Sequence, residues 1–174
     1  LSGNEYVDYL LGSGPMLLGH AHPEVVAAVT EQIAHGTTFF ALNEHVLHLA
    51  EEIVAAVPCA EKVRFLSSGT EATMYAMRVA RAFRRRNKVL KFEGGFHGMN
   101  DYSLMSLAPA RPSDFPHATP DSAGIPDSVQ SEMLIAPFND LETTSAIIEQ
   151  HHNELGGVIV TTPAVTPNSN GEAT

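Results

Sequence analysis

Residues 67–72, with the sequence SSGTEA, combine the residue types that bind phosphate at the start of a helix. Ser68 and Glu71 stand three apart, the spacing of a capping box, in which each side chain satisfies an orphan backbone N–H. Gly69 lets the backbone come close to a bound group, and Ser68 and Thr70 add hydroxyl donors. Such a helix start offers free N–H groups and the positive end of the helix dipole to an anion. The alternative is an ordinary capped helix, and this motif alone leaves both interpretations open.

An aromatic residue and a histidine form a second candidate group, within KFEGGFHGMN of residues 91–100. Two glycines release the backbone after an apolar run. Phe96 and His97 are therefore expected at the carboxyl edge of a sheet, where ligands bind in open α/β folds. Phe96 can stack on a flat ring, and His97 can supply a hydrogen bond or a proton. Alternatively, Phe96 fills the core and His97 caps a turn.

The third candidate is Ser13, within GSGPMLLGHAHP of residues 12–23. Its Ser-Gly-Pro sequence predicts a tight turn that can bring backbone against a substrate. His20 and His22 resemble a metal-binding pair, but no third and fourth ligand stands at useful spacing, so we predict no metal site. Neither GxGxxG nor GxxxxGK[ST] occurs, which disfavours dinucleotide and P-loop sites.

The composition disfavours several classes of protein. The 174-residue chain has 20 acidic and 10 basic side chains, a formal charge of -10, which repels nucleic acid. No apolar run approaches the roughly 20 residues that a membrane helix needs, and the first residues lack the pattern of a signal peptide. The single cysteine, Cys59, cannot form an internal disulfide, so a reducing, cytoplasmic location is expected.

The elements that must position these groups follow from the spacing of apolar residues. A short strand is predicted at about Tyr6–Leu10, followed by a helix that begins near Pro23. A second helix is predicted to begin after Asn43, a good N-cap, and to end at Pro58. The sequence KVRFL, residues 62–66, is predicted to be the strand that leads into the SSGTEA helix.

Strands and helices alternate along the rest of the chain, which is typical of a parallel sheet with crossover helices. The predicted elements are the helix TEATMYAMRVARAFRRR, the strand KVLKF, the strand EMLIAPF, the helix DLETTSAIIEQHH with Asp140 as its cap, and the strand GGVIV. Between the second and third of these lies a stretch from about Gly94 to Ser131 that is rich in Pro, Gly, Asp and Ser. A loop of this length is usually functional or mobile.

Three segments, in this order, resemble the class III (subgroup II) aminotransferases of fold type I, which depend on pyridoxal 5'-phosphate. The greatest likeness is to the glutamate-1-semialdehyde aminomutase-like branch of that family. The segments are GNEYVDYLLGSGPMLLGHAHPEV, FLSSGTEATMYAMRVAR and FEGGFHG, and the likeness covers about residues 1–160. It implies an α/β fold of the fold type I transferase kind, as an N-terminal arm and helix followed by the first half of a large domain with a mainly parallel sheet. We therefore expect an N-terminal segment of residues 1–42 and a partial large domain of residues 43–174, with the long loop at 94–131.

The resemblance also implies roles for individual residues. In the family the Ser-Gly-Thr turn holds the cofactor phosphate, which assigns that role to Ser68, Gly69 and Thr70. The aromatic residue of the (Y/F)HG segment stacks on the pyridine ring, which points to Phe96, with His97 beside it. The Ser-Gly-Pro turn lies near the substrate, so Ser13 is a substrate-side candidate. The implied reaction is transfer of an amino group, with the cofactor ring as the electron sink.

Two groups that this chemistry needs lie further along the chain in family members: the lysine that forms an imine with the cofactor, and the aspartate that pairs with the pyridine nitrogen. The lysines here are Lys62, Lys88 and Lys91, and none stands at the family position. After GGVIV the chain reads TTPAVTPNSNGEAT, whereas the family usually continues with Glu-Pro. We therefore expect an N-terminal portion that is inactive alone, from a protein that forms homodimers. The alternative is a non-catalytic module, derived from that fold, that binds a phosphate ligand or a partner.

Overall fold

The computed structural model describes residues 2–108 and 114–161. The chain forms two compact units, Leu1–Val63 and Arg64–Thr174, which are described here one at a time. This grouping by compactness does not test the predicted division between residues 42 and 43, which stays a prediction. The predicted difference of the chain end from the family pattern, at residues 162–174, lies outside the described residues.

The first unit contains two helices, α1 (Pro23–Ile33) and α2 (Glu44–Ala56). Both begin where the sequence predicted. Pro23 occupies the first turn of α1, where its missing N–H has no helical partner, and the Asn43 side chain caps α2 by accepting from Val46 N at 3.1 Å. The strand predicted at about Tyr6–Leu10 is wrong, since residues 2–9 are irregular. A strand forms only when a neighbour accepts its backbone hydrogen bonds, and no described residue pairs with this segment.

The second unit contains a parallel sheet of three strands: β1 (Lys88–Phe92), β2 (Met133–Ala136) and β3 (Leu155–Ile159). The order is β2-β1-β3, so β1 is central. Leu90 of β1 is in register with Leu134 and Val158 of its neighbours. This architecture confirms the predicted parallel sheet, and the strands coincide closely with KVLKF, EMLIAPF and GGVIV.

Three helices accompany this sheet: α3 (Gly69–Arg84), the short α4 (Asp127–Gln130) and α5 (Leu141–His151). The helix α5 connects β2 to β3 as a crossover, and Asp140 caps it as predicted, by accepting from Thr143 N at 3.0 Å. The helix α3 precedes β1 and packs on β1 and β3. Its last turn contains Arg81 and Arg84, where cations suit the helix dipole.

The strand predicted at residues 62–66 is also not formed. The sequence KVRFL has the alternation and β-branched content of a strand, but no described residue forms a ladder with it. Local preference for a strand is weak without cross-strand pairing, so the segment runs irregularly into α3.

The core of the second unit lies on both faces of β1 and extends into the long loop. Val89, Leu90 and Ile135 are buried in the strands, and Met105 and Ala118 of the loop join them. Met105 forms an isolated bridge with Pro120. The described parts of the predicted loop 94–131 therefore connect β1 to β2 and also contribute buried side chains to the core. None of the helices within the described residues is both long and apolar enough to cross a membrane.

Candidate functional site

Ser68 caps the start of α3 as predicted, while the Glu71 side chain accepts from the N–H of Ser67, one residue before the cap, rather than from that of Ser68. Ser68 Oγ accepts from Glu71 N at 3.2 Å, and Glu71 Oε2 accepts from Ser67 N at 2.8 Å. The N–H groups of Gly69 and Thr70 lie in the first turn, ahead of any carbonyl that the helix itself could offer them. A Cβ built on Gly69 would meet no atom within 4 Å. The helix therefore begins on an open face with the dipole and the backbone donors that an anion requires.

The structure places the segment after β1 directly against this helix start. Met99 N donates to Thr70 Oγ1 at 3.1 Å, and the Asn100 side chain donates to Thr70 O at 3.3 Å. Thr73 Oγ1 donates to His97 O at 2.6 Å. The two motifs that the sequence singled out separately are thus hydrogen-bonded neighbours in the second unit.

Gly98 makes this close approach possible. A Cβ at this position would lie 2.6 Å from both Cα and Oγ1 of Thr70, and the backbone adopts a φ of +93°. Both the space and the left-handed conformation demand glycine. The FHG motif by itself assigns no role to Gly98, because the helix that Gly98 contacts is distant in sequence.

Phe96 does not fill the core, because its side chain is 51% exposed. Phe96 directly precedes His97, whose carbonyl oxygen accepts from Thr73 Oγ1 of α3. An exposed aromatic residue beside an open helix start is suited to stacking on a planar ring.

His97 is 2% exposed, and neither of its ring nitrogens has a hydrogen-bond partner among the described residues. Its ring therefore does not cap a turn. Burial and, to a smaller extent, the nearby charge of Lys91 together lower the pKa of this imidazole to about 4. A neutral imidazole at pH 7, with both nitrogens unpaired, is a group that a ligand can satisfy.

Lys91 is the residue that sequence reasoning missed, because the lysines were considered only as amines that could react with a cofactor. Its side chain is fully buried, and Nζ donates to the carbonyl oxygens of Ser103 at 3.0 Å and Met105 at 2.6 Å. Burial lowers the pKa of Lys91 to about 8, and the Asp121 carboxylate opposes that shift. The available signal was a lysine inside the apolar run of a central strand, KVLKF.

Ser13 lies in the first unit, in the predicted tight turn. Its φ is +68°, and Gly14 N donates to Leu10 O at 3.1 Å, which closes the turn. His20, the first of the two histidines that follow, pairs with Asp8, its Nε2 lying 2.7 Å from Oδ2. Over residues 2–108 and 114–161, no three His, Cys, Asp or Glu side chains are grouped so as to hold a metal ion.

Two cavities of the second unit are lined by residues other than those predicted for the cofactor site. One, of about 490 Å³, flanks the helix further along, at Arg78 and Arg81. The other, of about 470 Å³, opens where β1 and β2 begin, at Lys88 and Met133. Residues 68–70 and 96–97 line neither of these two cavities.

The chain is similar to one protein family and to characterised members of it. The family Aminotransferase class-III matches residues 1–166. The chain is 47% identical over 160 residues to glutamate-1-semialdehyde 2,1-aminomutase from Methanothermobacter thermautotrophicus, covering 92% of this chain and 37% of that protein. The chain thus spans little more than a third of the length of that relative.

Solved structures give the same result. An omega-transaminase from Sphaerobacter thermophilus matches with a TM-score of 0.82 and 39% identity, over 87% of this chain and 35% of that one. A glutamate-1-semialdehyde aminomutase from Pseudomonas aeruginosa in complex with PMP matches with a TM-score of 0.74 and 26% identity, over 89% of this chain and 33% of that one.

Proposed function

This chain belongs to the class-III aminotransferase family, whose members use pyridoxal phosphate, and we propose that it is the N-terminal portion of an enzyme that transfers an amino group. The similarity to aminomutases favours the glutamate-1-semialdehyde aminomutase-like branch. Within that enzyme the second unit supplies the subsite for the cofactor phosphate and one face for the ring. We propose further that the whole enzyme is a cytoplasmic homodimer, with Ser13 on the substrate side.

The observation that carries this proposal is that the segment after β1 is hydrogen-bonded to the start of α3. Ser68, Gly69 and Thr70 would hold the phosphate through the backbone N–H groups and the dipole of α3. Thr70 Oγ1 already accepts from Met99 N, so its hydroxyl hydrogen can still be donated to a ligand oxygen. A Cβ built on Gly69 would meet no atom within 4 Å, which leaves room there for a phosphate oxygen.

Phe96 and His97 would contact the pyridine ring of the cofactor. The exposed face of Phe96 would stack on the pyridine, which restricts the ring to one plane. His97, held neutral at pH 7 by burial, would pair with a polar atom without adding charge to the site. When bound, the cofactor supplies an electron sink for the carbanion formed as a proton leaves the amino substrate.

No lysine of this chain is suited to form the imine with the cofactor, and we propose that the chain is inactive alone. The Lys91 ammonium is buried and donates to two carbonyl oxygens. Lys88 Nζ pairs with Glu154 Oε2 at 2.8 Å, at the end of β1 remote from Phe96. Lys62 precedes the phosphate-binding turn in the chain and so does not stand at the family position. The family lysine, which lies downstream in longer members, would have to be supplied by further chain.

Titration of the 174-residue chain with pyridoxal phosphate tests this proposal. We expect saturable binding that inorganic phosphate displaces, and after borohydride reduction no lysine labelled to stoichiometry in the peptide map. Replacing Thr70 with valine should weaken binding about tenfold, because a donor to a charged group is lost. Ser145→Ala, which removes an exposed hydroxyl from α5, serves as the control and should bind as the unaltered chain does.

Three outcomes of this titration would contradict parts of the proposed function. Stoichiometric labelling of Lys62, Lys88 or Lys91, together with transaminase turnover, would overturn the proposed inactivity. Binding of phosphate and pyridoxal phosphate with equal affinity would favour the non-catalytic phosphate-binding module. Binding that Thr70→Val leaves unchanged would show that the Thr70 hydroxyl does not donate to the phosphate.

A further inference from the structure

Lys91 is a fully buried cation on the central strand of the sheet. Burying an ammonium is costly unless its donors are satisfied, and here the acceptors are the carbonyl oxygens of Ser103 and Met105. Asp121, whose carboxylate accepts from Leu107 N at 2.8 Å, adds electrostatic support. The lysine therefore ties a distant part of the loop to the carboxyl end of β1.

Ser103 transmits this constraint towards the candidate site. Its Oγ donates to His97 O at 2.9 Å, and its N–H donates to Asn100 Oδ1 at 3.2 Å. The Asn100 side chain in turn donates to Thr70 O at 3.3 Å. A continuous path of hydrogen bonds thus runs from the buried ammonium of Lys91 to the first turn of α3.

We infer that Lys91 is a positioning residue for the cofactor site: its buried ammonium holds residues 97–106 against the start of α3 and thereby places Phe96 and His97 beside the phosphate-binding turn. This inference deepens the proposed function and rests on it for the identity of the ligand. Lys91 acts through Ser103 and does not itself touch the cofactor. Its hydrogen bonds to backbone carbonyls make it a structural donor rather than a reacting amine.

Amide hydrogen exchange of the ligand-free chain tests the positioning role. Lys91→Met keeps a similar volume but removes the ammonium that donates to the carbonyl oxygens of Ser103 and Met105. Residues 97–106 should therefore exchange faster while α5 and β3 stay protected. Lys88→Met, on the same strand, removes a partly exposed ion pair and should leave residues 97–106 unchanged. Unchanged exchange at 97–106 in Lys91→Met, or equal acceleration across the whole second unit, would overturn the inference.

A second pair of variants decides the matter if Lys91→Met does not fold. Ser103→Ala keeps the ammonium and its acceptors but removes the link to His97 O. Ser106→Ala is its matched control, because Ser106 is equally buried but its hydroxyl accepts from Thr119 N. Faster exchange at residues 97–100 in Ser103→Ala alone is the expected result. The same exchange in both variants would overturn the inference.

The pyridoxal phosphate titration then separates this inference from the proposed function. Lys91→Met, or Ser103→Ala in its place, should weaken binding about tenfold and change the circular dichroism of the bound ring, whereas Lys88→Met should do neither. If the unaltered chain binds with phosphate competition and all variants match it, the positioning role fails and the proposed function stands. If the unaltered chain does not bind at all, the proposed function fails, and the exchange pattern still decides the role of Lys91 within the fold.

Discussion

His97 couples protonation to folding at the scale of a single residue. Its pKa is about 4 in the folded chain, against an ordinary 6.5, because burial and the charge of Lys91 disfavour the imidazolium. Between these two values the unfolded chain binds a proton that the folded chain does not. Acidification from pH 6.5 to pH 4 therefore lowers the free energy of unfolding, by at most about 1.4 kcal/mol per pH unit for one group.

We expect His97→Gln to flatten this part of the pH dependence, since glutamine does not titrate. Urea unfolding at pH 4, 5, 6 and 7 would measure it, with His152→Gln, an exposed histidine of the same unit, as the control. The explanation is wrong if His97→Gln and the unaltered chain lose stability in parallel as the pH falls.

Burial also lowers the pKa of Lys91, and it affects stability at a higher pH than His97 does. A lysine with its pKa near 8 loses its proton in the folded chain before it does in the unfolded chain. Its burial therefore costs stability at neutral pH, and that cost declines as the pH rises above 8. A cation retained at such a cost is consistent with the positioning role inferred for it, since within the described residues its ammonium is compensated by the hydrogen bonds to Ser103 and Met105 and by the Asp121 carboxylate.

At the scale of elements, the contact between α3 and the segment after β1 involves two glycines with different surroundings, one tightly packed and one open. Gly98 meets Thr70 at 2.6 Å with a φ of +93°, whereas Gly69 opens α3 with no atom within 4 Å of a built Cβ. The first glycine is needed for the segment after β1 to pack on the helix. The second is needed only if something approaches the helix start from outside.

Alanine at each position should separate these roles. Gly98→Ala should lower the free energy of unfolding by about 2 kcal/mol or more, because the methyl group overlaps backbone of α3. Gly69→Ala should leave it unchanged or raise it by up to about 1 kcal/mol, because alanine favours the helix. Yet Gly69→Ala should weaken pyridoxal phosphate binding, because the methyl group occupies the space proposed for the phosphate. Urea unfolding and the cofactor titration measure the two effects.

The result that would contradict this account is a stable Gly69→Ala chain with unaltered cofactor affinity, since the open space would then have no ligand. Equal stability of Gly98→Ala and the unaltered chain would instead show that the contact with Thr70 contributes little to packing.

At the scale of the whole molecule, β3 is an edge strand of the sheet, since within the described residues it pairs with β1 alone. Val160, just beyond β3, is 61% exposed. An apolar sheet edge with unpaired backbone groups favours pairing with another chain.

We expect Val160→Lys to reduce self-association of the 174-residue chain, because a lysine at an edge opposes strand pairing. Light scattering over a range of concentrations would measure this. Leu141→Lys makes the same apolar-to-cationic change at an exposed position on α5, away from the edge, and should leave association unchanged. Equal reduction by both variants would indicate an effect of charge alone.

Much of the secondary structure follows from local signals. The cap residues Asn43, Ser68 and Asp140 mark the starts of α2, α3 and α5, because a capping side chain contacts a backbone N–H only three residues away. The strand KVLKF was predicted to the residue. The segments 6–10 and 62–66 were predicted as strands and are not, because a strand depends on a neighbour that local sequence does not contain.

In the candidate site, too, local sequence indicated some features, whereas others depend on contacts between distant residues. The residue types of SSGTEA and GGFHG were sufficient to nominate Ser68, Gly69, Thr70, Phe96 and His97, whose roles toward a cofactor remain predictions. Nothing in the spacing indicated that Gly98 lies against Thr70, or that Lys91 is buried beneath the loop, because both contacts join residues far apart in the chain.

The sequence by itself determined the caps, the helical and strand periods and the family, since each depends on neighbouring residues or on motifs read in order. Only the tertiary structure decided which motifs meet, which polar groups are buried and which strands pair. Burial of His97 and Lys91 illustrates the physical reason: the pKa of each group depends on the solvent that distant segments exclude and on charges those segments bring close. These are properties of the packed chain, and no local pattern of residues specifies them.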